Sequence, residues 1–274
     1  MNKNFGIMQG RLLPKFQGRY QAHPLGYWEK EFPIASKLGL DSIEFILDFN
    51  NAEDNPLLAP GGIESIQKAE QTSGIKVRSI CADYFMEAPI HSDDTITVNK
   101  SINILIRLIR GASSMNVKDI VVPCVDQSSL KNEKYRNNFI NNIKKITRIA
   151  EDANINICLE TDLAPTPFAN MIDLIGSKNV TINYDIGNSA ALGYDPVEEF
   201  RAYGDKISDL HIKDRLFGKG SVSLGEGNAD LSKIFDLLSK YDYQGLLIFQ
   251  AYRDNEGVEI FKEQLNWFFK NIKL

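Results

Sequence analysis

Short apolar runs alternate along this chain with longer stretches in which apolar residues return at every third or fourth position. The short runs predict strands over 5–8, 42–47, 76–82, 118–123, 155–160, 180–185, 207–212 and 244–250. The stretches between them predict helices near 27–38, 60–73, 93–116, 133–153, 166–177, 196–203, 230–241 and 256–271. Helical spacing puts such residues on one face. Ile102, Leu105, Ile106, Ile109 and Ala112 form one stripe, and Phe139, Ile143, Ile146 and Ile149 form another. Ser92-Asp93, Asp195-Pro196 and Asp230 stand where helices begin, and short polar side chains there satisfy N–H groups that a first turn leaves unpaired.

The strand runs are continuously apolar rather than alternating, as expected for parallel strands covered on both faces. Eight βα units in 274 residues, with no Pro/Gly/Ser linker between them, match the size and order of a single-domain (β/α)8 TIM barrel. A doubly wound open sheet is the competing architecture. It usually carries a glycine-rich phosphate turn after its first strand, and Gly6-Ile-Met-Gln-Gly-Arg-Leu12 is not that turn. The longest irregular stretches, 10–26, 48–59 and 213–229, each follow a strand. In a barrel they fall on the C-terminal rim, where active sites are built.

A net charge of −5 argues against a nucleic-acid surface, which needs concentrated Lys and Arg. Cys81, Cys124 and Cys158 lie in or beside apolar runs with no CxxC spacing, and read as buried, reduced hydrophobes. The N-terminus lacks the apolar stretch of a signal peptide, and no apolar run approaches the ~20 residues that span a bilayer. The expected location is the cytoplasm, without membrane contact.

Chemistry gathers at the strand tips. Glu160, Asp185, His211 and Gln250 end the last four expected strands, and neighbouring strands stand only ~4.8 Å apart. One such residue alone reads as a solvated loop side chain; four on successive strands read as a set converging on one divalent cation. Two carboxylates, an imidazole and an amide oxygen favour Mn²⁺ or Mg²⁺, with Co²⁺ or Zn²⁺ as alternatives.

The stretches Asn183-Tyr-Asp-Ile-Gly-Asn188, Leu210-His-Ile-Lys-Asp214 and Ser223-Leu-Gly-Glu-Gly227 resemble the xylose-isomerase-like barrels of the sugar-phosphate isomerase/epimerase superfamily. Their order and spacing are most similar to the L-ribulose-5-phosphate (L-xylulose-5-phosphate) 3-epimerases. The resemblance runs from Gly6-Ile-Met-Gln-Gly-Arg11 through Leu40-Asp-Ser-Ile-Glu44 to Gly245-Leu-Leu-Ile-Phe-Gln250. It implies metal ligands Glu, Asp, His and Glu, of which the first three fall on Glu160, Asp185 and His211. The fourth falls on Gln250, where the match fails. Related ketose 3-epimerases use the first and last glutamates as proton-transfer groups on opposite substrate faces. Glu160 keeps its half as the base of a metal-assisted reaction through an enediolate. The Gln250 amide neither takes nor releases a proton near neutral pH.

Inversion needs an acid on the second face, and Glu44, Asp83 and Glu226 are candidates near the expected rim. Aldose–ketose isomerisation needs only one base. An inosose-dehydratase-like lyase and a non-catalytic sugar- or metabolite-binding barrel are the competing functions. Zinc endonucleases of the superfamily are His-rich, whereas this chain has only His23, His91 and His211. The expected partner is a sugar or sugar phosphate, with a homo-oligomer compatible with the fold. Gln9, Arg11, Glu44, Asn188, Lys213, Arg215, Glu226 and Arg253 are expected to contact it, the basic ones beside the last strands suiting an anion. Trp28, Phe45, Tyr84 and Phe85 fit either an apolar wall of the site or the core.

Overall fold

Every expected apolar run forms a strand in the computed structural model, which describes residues 5–253 and 258–273. They are β1 (Phe5–Met8), β2 (Ser42–Ile46), β3 (Lys76–Cys81), β4 (Asp119–Cys124), β5 (Asn156–Thr161), β6 (Val180–Asp185), β7 (Ile207–Ile212) and β10 (Leu246–Phe249). Each pairs in parallel with its neighbours, and the order β1-β10-β7-β6-β5-β4-β3-β2 closes into a barrel. Two short segments, β8 (Asp214–Arg215) and β9 (Ser221–Val222), make an antiparallel ribbon on the rim.

The helices are α1 (Glu31–Lys37), α2 (Gly62–Ser73), α3 (Tyr84–Glu87), α4 (Thr95–Met115), α5 (Glu133–Ile143), α6 (Thr147–Ala153), α7 (Pro165–Ile175), α8 (Ile186–Leu192), α9 (Pro196–Tyr203), α10 (Leu231–Lys240) and α11 (Val258–Asn271). Among the described residues, none is long and apolar enough to cross a membrane.

Strand geometry sends alternate side chains to opposite faces. One set, including Ile7, Ile43, Phe45, Ile120, Val122, Leu159, Ile182 and Leu210, joins the large core that packs the strands against helices. The other set supplies a smaller cluster of Met8, Ile46, Cys81, Val121, Cys158, Leu246 and Ile248. Between these apolar residues the second set is polar. The Asp119 carboxylate accepts from Asn156 at 2.9 Å and Ser208 at 2.5 Å, and Ser208 meets Thr181 at 2.7 Å. Such groups tolerate burial because they satisfy one another. All three cysteines are free and buried.

Local differences from the sequence reading are few. The expected helix 133–153 is two helices, because hydrogen bonds to the third preceding residue tighten the chain at Lys145 and Ile146. Asp94, rather than Ser92-Asp93, caps α4, accepting from Ile96 and Thr97. Asp195 and Asp230 cap α9 and α10 as expected. Gln250 stands one residue beyond β10, its N–H still bonded to the Ile212 carbonyl at 3.0 Å.

Candidate active site

Asp185 ends β6 and begins α8 in a single residue. Its Oδ1 accepts the Asn188 N–H at 2.7 Å, the arrangement by which a capping aspartate starts a helix. Gly187 lets α8 approach the chain after β7, since a Cβ there would stand 2.7 Å from Lys213 Cγ. Asn188 is thereby folded back over the barrel mouth. Its Nδ2 donates to Glu160 Oε1 at 2.6 Å, and its Oδ1 accepts from Arg215 Nη1 at 2.7 Å and Lys213 Nζ at 3.3 Å.

Glu160, Asp185 and His211 converge, with one potential ligand atom from each lying within 4.8 Å of the others. His211 Nδ1 is 3.6 Å from Glu160 Oε2 and 3.8 Å from Asp185 Oδ2. Its other nitrogen, Nε2, is 2.8 Å from Glu44 Oε1. A carboxylate behind a histidine fixes the ring and leaves the opposite nitrogen to face a metal. Asn183, on the same face of β6 as Asp185, donates to Glu160 Oε2 at 2.9 Å and approaches His211 Nδ1 at 3.1 Å. The donor set fits a divalent cation of the hard-to-borderline kind. Gln250 Oε1 is buried with no partner among the described residues, as an oxygen with capacity for one would be.

The site's charges are strongly coupled. Burial and then Asp185 push the Glu160 carboxyl up to about 7, against the pull of His211 and Lys213. Burial works against the Asp185 carboxylate, but Lys213, 3.3 Å away, and His211 hold its pKa below the usual range. Burial also lowers the His211 imidazole, yet Glu44, Asp185 and Glu160 outweigh it and carry it well above its ordinary value.

A cavity of about 450 Å³ opens beside Glu160, and its walls also include Gln250, Gln21, Asp83, Asn188, Lys213 and Arg215. Lys213, Arg215 and Asn188, expected as substrate contacts, thus stand in the cavity wall.

The other expected substrate contacts stand elsewhere. Gln9 is fully buried, its Oε1 bonded to the Ile46 N–H and to His23, because β1 and β2 close over it. Glu44 is likewise fully buried, bonded to Ser79 and His211 beneath the cluster, since its strand position faces the barrel interior. Glu226 is exposed and outside the cavity wall. The Ser223–Gly227 motif around it wraps the Asp214 carboxylate, which accepts the N–H groups of Gly225, Gly227, Ala229 and Arg215 itself. A Cβ on Gly227 would stand 2.0 Å from Asp214 Oδ1.

Arg253 donates to the carbonyls of Gly10 and Arg11 and lies over the Tyr20 ring at 4.2 Å. Arg11 reaches the Ala251 carbonyl and Gln21 Oε1. Burial, with Arg253 nearby, lowers its pKa to about 10. Trp28, Phe45, Tyr84 and Phe85 belong to the core. Two further residues at the site had no role assigned from the sequence, Asn183 beside Glu160 and His211 and Gln21 in the cavity wall. Asn183 is signalled by its two-residue spacing from Asp185 on a strand; Gln21 sits in a loop without any such signal.

Residues 32–271 match the family model described as a xylose isomerase-like TIM barrel. The putative L-ribulose-5-phosphate 3-epimerase SgbU of Haemophilus influenzae is 26% identical over 243 residues, covering 83% of this chain and 84% of that protein. A D-psicose 3-epimerase solved in the presence of D-fructose superposes with a TM-score of 0.75 at 14% identity, over 97% of this chain and 98% of its own. The IOLI protein, solved with a binding zinc atom, gives 0.75 at 17% identity, over 99% and 100%. These two likenesses concern the fold. Taken with the closed parallel barrel, the family match is decisive: the chain belongs to the xylose isomerase-like TIM barrel family.

Proposed function

We propose that this protein is a divalent-metal-dependent isomerase or epimerase of a sugar or sugar phosphate, with Glu160 as the base. The observation that carries the reading is the convergence of Glu160, Asp185 and His211, with Glu160 in the wall of a cavity. The relatives' name, L-ribulose-5-phosphate 3-epimerase, supports a ketose phosphate, and Lys213 and Arg215 in the wall supply cationic donors for it. Mn²⁺ or Mg²⁺ suits the oxygen-rich donor set best, with Co²⁺ or Zn²⁺ as alternatives.

Glu160, Asp185 and His211 would hold the ion, and Gln250 Oε1 is the oxygen available to join them. When bound, such an ion polarises a carbonyl and its neighbouring hydroxyl, which lowers the barrier to removing the carbon-bound proton between them. Glu160 takes that proton. Without the ion, burial and Asp185 raise the Glu160 pKa to about 7; a bound cation would favour the ionised form, the one that accepts the proton. The amides of Asn183 and Asn188 hold its two oxygens in place. Asn188 in turn is held by Lys213 and Arg215, so substrate contact with these cations is coupled to the base.

Within this reading the amide at Gln250 is compatible with aldose–ketose isomerisation along one face, which needs a single base; the alternatives are an inosose-dehydratase-like lyase and a non-catalytic binding barrel. Purified protein should contain or bind a stoichiometric divalent ion, and ketoses incubated with it in D₂O should exchange a carbon-bound hydrogen. Exchange at C1 or C2 supports isomerisation, exchange at C3 epimerisation, and bound metal without exchange a binding barrel. Glu160→Gln is expected to lower turnover by at least about 10²-fold with the barrel still folded; near-normal turnover would remove Glu160 as the base.

A further inference from the structure

Inverting a carbon beside a carbonyl requires a proton to leave one face and another to arrive on the opposite face. Glu160 serves one face, and the Gln250 amide cannot serve the other. Asp83, just past the end of β3, opens onto the same cavity. Its Oδ2 accepts from Gln21 Nε2 at 3.1 Å, and Gln21 Oε1 accepts from Gln250 Nε2 at 2.6 Å. Glu160 stands on β5, and the strand diametrically across the closed ring is β1. Asp83 itself follows β3, two places from β5 in that ring, and through Gln21, in the loop that follows β1, it is linked to Gln250 beyond β10, so the connection runs along the part of the cavity wall away from β5.

Other proton-exchanging groups of the cavity wall are engaged differently. Asp162 is paired with Lys131 at 3.3 Å and bonded to Ser129, and Lys213 is paired with Asp185. Asp126 is exposed at the mouth. Both Asp83 oxygens are held by neutral groups instead, Gln21 at one and the Cys81 thiol, 3.2 Å away, at the other.

We propose that Asp83 is the second proton-transfer residue of this site and that the reaction is inversion at a carbon beside the ketone. This rests on the reading of Glu160 given above. Glu160 removes the carbon-bound proton and the electron pair stays on the substrate as an enediolate. Asp83 then gives its proton to the same carbon from the opposite face, leaving Asp83 ionised and Glu160 protonated. Exchange with solvent restores both, so the new carbon-bound hydrogen comes from water. Burial, with Asp48 and Glu44 nearby, raises the Asp83 pKa, consistent with a carboxyl that carries the proton to be delivered.

The test is Asp83→Asn, incubated in D₂O with a panel of ketoses and ketose 5-phosphates that includes L-ribulose 5-phosphate. The variant is expected to keep hydrogen exchange with retained configuration while inversion falls by about 100-fold or more. Its thermal melting would report on folding. The double variant Asp83→Asn/Gln250→Glu returns a carboxyl to the cavity and is expected to recover part of the inversion, which a merely structural role for Asp83 would not produce. Inversion at the wild-type rate in Asp83→Asn, or equal loss of exchange and inversion, would overturn the assignment. Wild-type exchange confined to C1 or C2 would overturn it while leaving Glu160 as base. Wild-type protein that exchanges no hydrogen in any of these sugars would overturn both.

Discussion

His211 is held between two chemically different neighbours. On one side Glu44 is bonded to Nε2 from within the barrel; on the other, Nδ1 looks toward Glu160 and Asp185. Exchanging Glu44 for Gln keeps the size of the side chain and removes the charge behind the ring. Metal affinity measured by calorimetric titration should fall by about 10–100-fold, with the barrel intact. Protons compete for the same site. The Glu160 carboxyl, raised to about 7, has to be ionised to ligate, and the imidazole of His211, raised above its usual range, has to be free of its Nδ1 proton. Below the Glu160 pKa each displaced proton costs about tenfold in affinity per pH unit. The metal dissociation constant should therefore rise as pH is lowered from about 8 to about 6, by more than one displaced proton alone would give. A pH-independent constant would remove both groups from the coordination.

Elements position these residues through short devices at their ends. Asp185 closes a strand and opens a helix in one step, which is why a ligand can sit at a tip and still be rigid. Asp214 does comparable work for the rim. One buried carboxylate gathers four backbone N–H groups and so shapes the segment from the β8–β9 ribbon to α10. Asp214→Ala would strand those donors, and leaving buried donors unpaired costs about 1–3 kcal/mol each where water cannot replace the acceptor. We expect a loss on the order of 3 kcal/mol in a urea unfolding titration, since part of the loop will find water. Sugar binding should weaken with it, because Arg215 is anchored to this ribbon. The Ser223–Gly227 motif was legible as a signature, but its glutamate is exposed, and the work is done by glycines that admit the Asp214 carboxylate.

At the scale of the whole molecule, strands and helices were readable because their signals are periodic and local. Eight buried runs separated by amphipathic stretches leave a closed parallel barrel as the arrangement that covers them. The tips Glu160, Asp185 and His211 followed from the same count, since consecutive parallel strands bring their ends to one rim. Only distant closure decided the rest. Gln9 and Glu44 read as rim residues, yet Gln9 is buried against the Ile46 N–H and His23, and Glu44 faces the barrel interior beside Ser79 and His211. Arg253 and Arg11 donate to main-chain carbonyls brought together from opposite ends of the chain. The Asp83–Gln21–Gln250 connection joins residues 62 and 229 positions apart, a juxtaposition that no periodicity encodes. Sequence by itself determined the barrel and three converging side chains, because those depend on spacing along strands. Which side chains line the opposite wall was decided by tertiary structure, because loops of different length meet there only after the ring has closed.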